Sequence, residues 1–77
     1  MDNILFVLEE LEDDNTVPKN VRSKIAEIKM ILAMDAEMEI KKSKVMYQLE
    51  VISEDVNLQP YTRTQIWDII SGLENVQ

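Results

Sequence analysis

Seventy-seven residues, 45% hydrophobic and 30% charged with one Gly and two Pro, are enough for one small helical domain and are unlike a disordered tail. With no Cys and no His, the chain lacks disulfides, thiolate nucleophiles, Cys-rich zinc sites and the usual neutral-pH general base, so no enzyme, cofactor or metal site is expected. The net charge of −7 is a poor footprint for nucleic acid. No apolar run approaches the ~20 residues that span a bilayer, and MDNILFVLEE carries Asp2 where a secretory signal would be basic, so the expectation is a cytoplasmic protein off the membrane.

A chain this short buries only roughly 60% of its unfolded surface, and at the usual scale its net stability is about 4–11 kcal/mol. Self-association would therefore be a sizeable addition. Apolar spacings of three and four predict four helices and no strand.

The first helix has Ile4, Leu8 and Leu11 on one face, with Phe6 about 200° from Ile4. Residues 1–14 also hold Asp2, Glu9, Glu10, Glu12, Asp13 and Asp14 and no base, a local charge of −6. That run can be a solvated face, a dock for a basic partner or a ligand set for Ca²⁺ or Mg²⁺, although it lacks the loop spacing and Gly of an EF-hand. The second helix carries Val21, Ile25, Ile28 and Leu32, and its Lys19, Arg22, Lys24 and Lys29 complement the acidic helix before it.

The third helix carries Met38, Val45, Leu49 and Ile52, and the fourth Ile66, Ile70 and Leu73. Residues opposite these stripes should be polar, yet Met30 and Met34 on the second helix and Ile40, Tyr47 and Val51 on the third lie at about 180–240° from the core positions. With Phe6 they form a candidate interface for a homodimer or another protein. The alternative is that one helix is buried on two sides. Trp67, about 100° from Ile66, is expected at the flank of the core.

Sliding the chain by 41 residues aligns Leu8 with Leu49, Glu9 with Glu50, Asp14 with Asp55, Arg22 with Arg63, Ile25 with Ile66, Ile28 with Ile69 and Leu32 with Leu73. Phe6 falls on Tyr47 and Val17 on Leu58. The expected architecture is an all-α, four-helix bundle made of two repeated helical hairpins with pseudo-twofold symmetry, a single domain over 1–77 with halves of about 1–34 and 35–77.

In this frame Thr16 and Asn57 are equivalent and read as N-caps, which puts Pro18 and Pro60 in first turns where a missing N–H costs little. Arg22 and Arg63 sit near helix N-termini, where positive charge needs a partner. Asp14 and Asp55, eight residues earlier, are the expected salt-bridge partners; an anionic ligand or a partner's carboxylate is the other reading.

The paired segments VPKNVRSKIAEI and PYTRTQIWDII, introduced by LEELEDDNT and LEVISEDVN, resemble the small archaeal proteins grouped as uncharacterised protein family 0147. Val17-Pro18 with Arg22, and Asn57, Thr62-Arg63-Thr64 and Ile66-Trp67, are its most specific parts. The resemblance implies a compact all-α bundle and no assigned activity. It would place the second-half Pro at Gln59, whereas this chain has Pro60.

The resulting functional expectation is a small non-enzymatic interaction or structural module that self-associates. The alternative is a nucleic-acid-associated accessory protein using Lys41, Lys42 and Lys44.

Overall fold

The computed structural model describes residues 2–75. Its elements are α1 (Asp2–Asp13), α2 (Lys19–Ala33), α3 (Met38–Ser53) and α4 (Pro60–Glu74), with no strand among the described residues. The connections at 14–18, 34–37 and 54–59 are too short for anything but antiparallel neighbours. Helix α1 packs on α2 and α4, and α3 packs on α2 and α4, while among the described residues the diagonal pairs do not meet. The product is a four-helix bundle of 32 × 20 × 19 Å.

One continuous core runs through it. Ile4, Leu8 and Leu11 of α1 meet Val21, Ile25 and Ile28 of α2, Val45, Leu49 and Ile52 of α3, and Ile66, Ile69, Ile70 and Leu73 of α4. Two positions read as core differ: Leu32 and Met38 are only partly buried, because each lies at a helix end where its neighbours thin out. Val17 and Leu58, in the connections before α2 and α4, are buried and close one end of the bundle.

The 41-residue offset recurs in three dimensions as a pattern of burial. Leu8 and Leu49, Leu11 and Ile52, Val17 and Leu58, Val21 and Thr62, and Ile25 and Ile66 are all buried. The first and last residues of α2 and α4 are also 41 apart. Thr62 thus puts a hydroxyl where the first half has Val21.

Candidate interaction surface

The two corners are built alike. The N–H of Thr16 donates to Asp14 Oδ1 at 2.8 Å and the Thr16 hydroxyl to the same oxygen at 2.7 Å. The N–H of Asn57 donates to Asp55 Oδ1 at 2.8 Å. In both corners a turn follows, from Val17 N–H to the Asp14 carbonyl at 3.1 Å and from Leu58 N–H to the Asp55 carbonyl at 3.3 Å. An Asp that accepts from the backbone two residues on is a turn-former in its own right.

This corrects the capping assignment. Thr16 and Asn57 are not N-caps, because each lies two residues before the cap, inside the turn; the N-caps are Pro18 and Gln59, neither with a side-chain cap bond. Their backbones are extended, with φ/ψ of −55°/144° and −70°/149°. Pro60 is therefore the first residue of α4 and Pro18 stands just before α2, both compatible with a fixed φ near −65°.

The salt bridges expected from Asp14 to Arg22 and from Asp55 to Arg63 are also corrected. Arg63 reaches backbone instead: Nε donates to the Ser53 carbonyl at 3.1 Å and Nη2 to the Asp55 carbonyl at 3.0 Å. These are carbonyls at the open end of α3, and a cation there also meets the negative end of the helix dipole. Arg22 Nε is buried with no hydrogen-bond partner. The equivalent arginines thus do unequal work.

Hydrogen bonds from the Thr16 hydroxyl and N–H, with a smaller contribution from the charge of Arg22, hold the Asp14 carboxyl below its ordinary value. For Asp55 the largest cause is the Asn20 side chain, whose Nδ2 donates to Oδ2 at 2.9 Å, followed by the Asn57 N–H and the charge of Arg63. The Asn20 bond ties the corner of the second hairpin to the start of α2. At α1 and α2 the ion pair that forms is Lys29 Nζ to Glu12 Oε1 at 2.8 Å, and it raises the Lys29 pKa.

The basic cluster is drawn into the bundle's opposite end. Lys41 Nζ donates to the Leu32 carbonyl at 3.1 Å and Lys42 Nζ to the Glu74 carbonyl at 3.3 Å, so these lysines close the C-terminal turns of α2 and α4. Lys44 is exposed. The acidic run does not converge: among the described residues no three acidic side chains gather as a metal site would require.

Phe6, Met30, Met34, Ile40, Tyr47 and Val51 are all exposed, with Phe6 at 61%, Met30 at 71% and Tyr47 at 67%. They do not form one patch. Phe6 points away from the core on α1 and Tyr47 away from it on α3, and these helices are diagonal, so the two rings lie on opposite flanks. The remaining five lie along the α2–α3 side, where Ile40, Tyr47 and Val51 form one outward stripe at spacings of seven and four. The sequence pattern does not single out Val56 and Tyr61, exposed beside the second corner; Trp67, expected at the flank of the core, has half of its surface in water. Val56 and Tyr61 lie outside the regular apolar stripes of the helices.

Between the start of α2 and the end of α3 is an open hollow of about 170 Å³. Its floor includes the buried Val21 and Ile52, and its rim includes Lys24, Val51 and Glu54.

A small all-α bundle with an apolar outer stripe on one helix is the class of protein that these features define. No helix among the described residues is long and apolar enough to cross a membrane. The chain belongs to the uncharacterised protein family UPF0147, whose model matches residues 1–76. Family members similar to it come from archaea: one from Methanocaldococcus jannaschii is 37% identical, spanning 96% of this chain and 81% of that protein. Another from Archaeoglobus fulgidus is also 37% identical, spanning 99% and 87%. The crystal structure of a protein of unknown function, MMP1188, matches with a TM-score of 0.92 at 39% identity, covering 99% of this chain and 88% of that one.

Proposed function

We propose that this protein is a small non-enzymatic interaction module that forms a homodimer through the outer face of α3. The observation that carries the reading is the stripe of Ile40, Tyr47 and Val51, which are 48%, 67% and 39% exposed on the helix face opposite Val45, Leu49 and Ile52. A helix that is apolar on both faces is suited to burial on both, and the bundle covers only one. A second copy fits because its own α3 offers the same stripe, so that one isologous contact covers the outward apolar residues of both copies. A duplicated hairpin with pseudo-twofold symmetry accounts for the matching corners and the 41-residue recurrence of buried positions.

The nucleic-acid reading is weaker, since Lys41 and Lys42 already donate to helix-end carbonyls. Sedimentation equilibrium of the wild-type chain and of Tyr47→Lys tests the dimer. A concentration-dependent dimer that the substitution converts to monomer, with an unchanged circular-dichroism spectrum, is the expected result. A wild-type chain that stays monomeric up to about 1 mM, where even contacts worth only ~4 kcal/mol would register, overturns it.

A further inference from the structure

The fold sorts the charges of the chain by side. Helix α1 carries five acids and no base, and α4 carries Asp68 and Glu74 against Arg63, a net −6 on these two helices. Helix α2 carries four bases against Glu27, and α3 three lysines against Glu39 and Glu50, a net +4. Because α1 packs on α4 and α2 packs on α3, the two signs stand on opposite sides of the ring instead of alternating around it.

The acidic side also carries exposed rings. On α1, Ile4 lies against Gly72 of α4 and Glu12 pairs with Lys29 of α2, which fixes the two flanks of the helix. Glu10 then leans toward α4, about 130° from the centre of the core stripe, while Phe6 and Asp13 point outward at about 170°. On α4, Asp68 and Tyr61 lean to the same side as Gly72, at about 150° and 130° from its core stripe. All five residues are exposed. The two helices are antiparallel, so Asp68 stands near the level of Leu8, between Phe6 and Glu10. Tyr61 lies about 13 Å along the axis from Phe6. Among the described residues Glu10, Asp13 and Asp68 make no ion pair, and Arg63, the one base of α4, is turned to carbonyls at the end of α3.

We propose that the outer face of α1 and α4 is a docking surface for a basic polypeptide segment, whose Lys or Arg side chains meet Glu10, Asp13 and Asp68 and stack on Phe6 and Tyr61. A one-sign patch concentrates a basic partner, and the faces of aromatic rings attract the same cations. About four extended residues span the 13 Å between the rings. A second copy is the poorer occupant. Each copy is −7 overall, and on its basic side Lys29 is paired with Glu12 while Lys41 and Lys42 are bonded to helix-end carbonyls. The face lies across the ring from the Tyr47 stripe, so it is open in the monomer and in the α3 dimer alike.

Fluorescein-labelled hexa-arginine added to the full chain, read by fluorescence anisotropy at about 0.02 M and 0.15 M salt, is the test. Saturable binding that weakens in the higher salt is expected. The pair Glu10→Gln with Asp68→Asn should weaken it by about fivefold or more. Phe6→Ala and Tyr61→Ala, which leave the charge unchanged, should each weaken it by about two- to fivefold. The pair Glu27→Gln with Glu50→Gln removes the same net charge from the α2–α3 side and should change binding by less than about twofold. Circular dichroism checks that each variant keeps its helices.

Equal losses in the two charge pairs, or no loss from either ring, would mean attraction to net charge alone and would overturn the docking face, as would an absence of binding at the lower salt. Self-association at low salt that Glu10→Gln with Asp68→Asn abolishes would give the face to a second copy and overturn the basic partner.

Discussion

Arg63 donates its Nε–H to the carbonyl oxygen of Ser53 at 3.1 Å, across the corner from α4 to the last residue of α3. With the second bond to the Asp55 carbonyl, which also accepts the Leu58 N–H, one planar guanidinium joins the last residue of α3 to the turn that follows it. Arg22, at the same position of the first hairpin, makes no such bond at Nε.

Arg63→Ala should therefore destabilise the bundle by about 1–3 kcal/mol, the range for losing hydrogen bonds to a charged donor. Arg22→Met, which keeps the stem and removes the buried unbonded Nε, should be within about 0.5 kcal/mol of wild type or more stable. Urea unfolding followed by circular dichroism measures both, and equal losses at the two arginines would contradict the asymmetry.

Acid should act through the corners. Asp14 and Asp55 have folded-state pKa values below their ordinary 3.8, so the folded state holds fewer protons there than the unfolded one. Their contribution is complete above the ordinary value and is lost as pH falls through the depressed ones. Stability of the wild type should decline below about pH 4, and the double variant Asp14→Asn with Asp55→Asn should show a shallower decline. Thermal unfolding at a series of pH values gives the two curves.

Gly72 lies inside α4 without a positive φ, and a Cβ there would meet Ile4 Cδ1 at 3.7 Å and Cγ1 at 3.8 Å, ordinary van der Waals contact. Gly72→Ala should stabilise the chain by about 0.4–1 kcal/mol, since it reduces the freedom of the unfolded state and adds contact to Ile4. A lower melting temperature in calorimetry would show that the α1–α4 seam has no such room.

Ile25 and Ile66 are fully buried at equivalent positions of α2 and α4. Each truncation to Ala should cost about 2–5 kcal/mol by chemical denaturation. Against a total stability of about 4–11 kcal/mol, either variant would be close to unfolding.

Dimerisation should strengthen with salt. Each copy carries −7, so two copies repel, while the stripe that joins them is mostly apolar. Raising the ionic strength from about 0.01 M to 0.15 M shortens the screening length from about 30 Å to 8 Å and should tighten the dimer. Sedimentation at the two salt concentrations measures the change, and a weaker dimer in salt would mean that attraction between opposite charges dominates the contact.

Four helices, their inward faces and the 41-residue recurrence of residue types were legible in the sequence. Those follow from local periodicity: Leu8, Ile25, Leu49 and Ile66 are buried because spacings of three and four place them on one side of a helix, whatever that helix packs against. The outward exposure of Tyr47 was legible for the same reason. The tertiary structure alone decided how the corners are bonded and which apolar residues adjoin. Thr16 and Asn57 looked like caps by residue type, but they sit inside the turns that Asp14 and Asp55 hold, and the helices start two residues past the caps they would have been, at Lys19 and Pro60 with Pro18 and Gln59 as caps. Arg63 turned to carbonyls rather than to Asp55's carboxylate, a choice between acceptors that no spacing encodes. Phe6 was separated from Tyr47 because four helices in a ring place the first and third on opposite sides. The hollow beside Val51 exists only where two helices, each regular by itself, leave a gap between them.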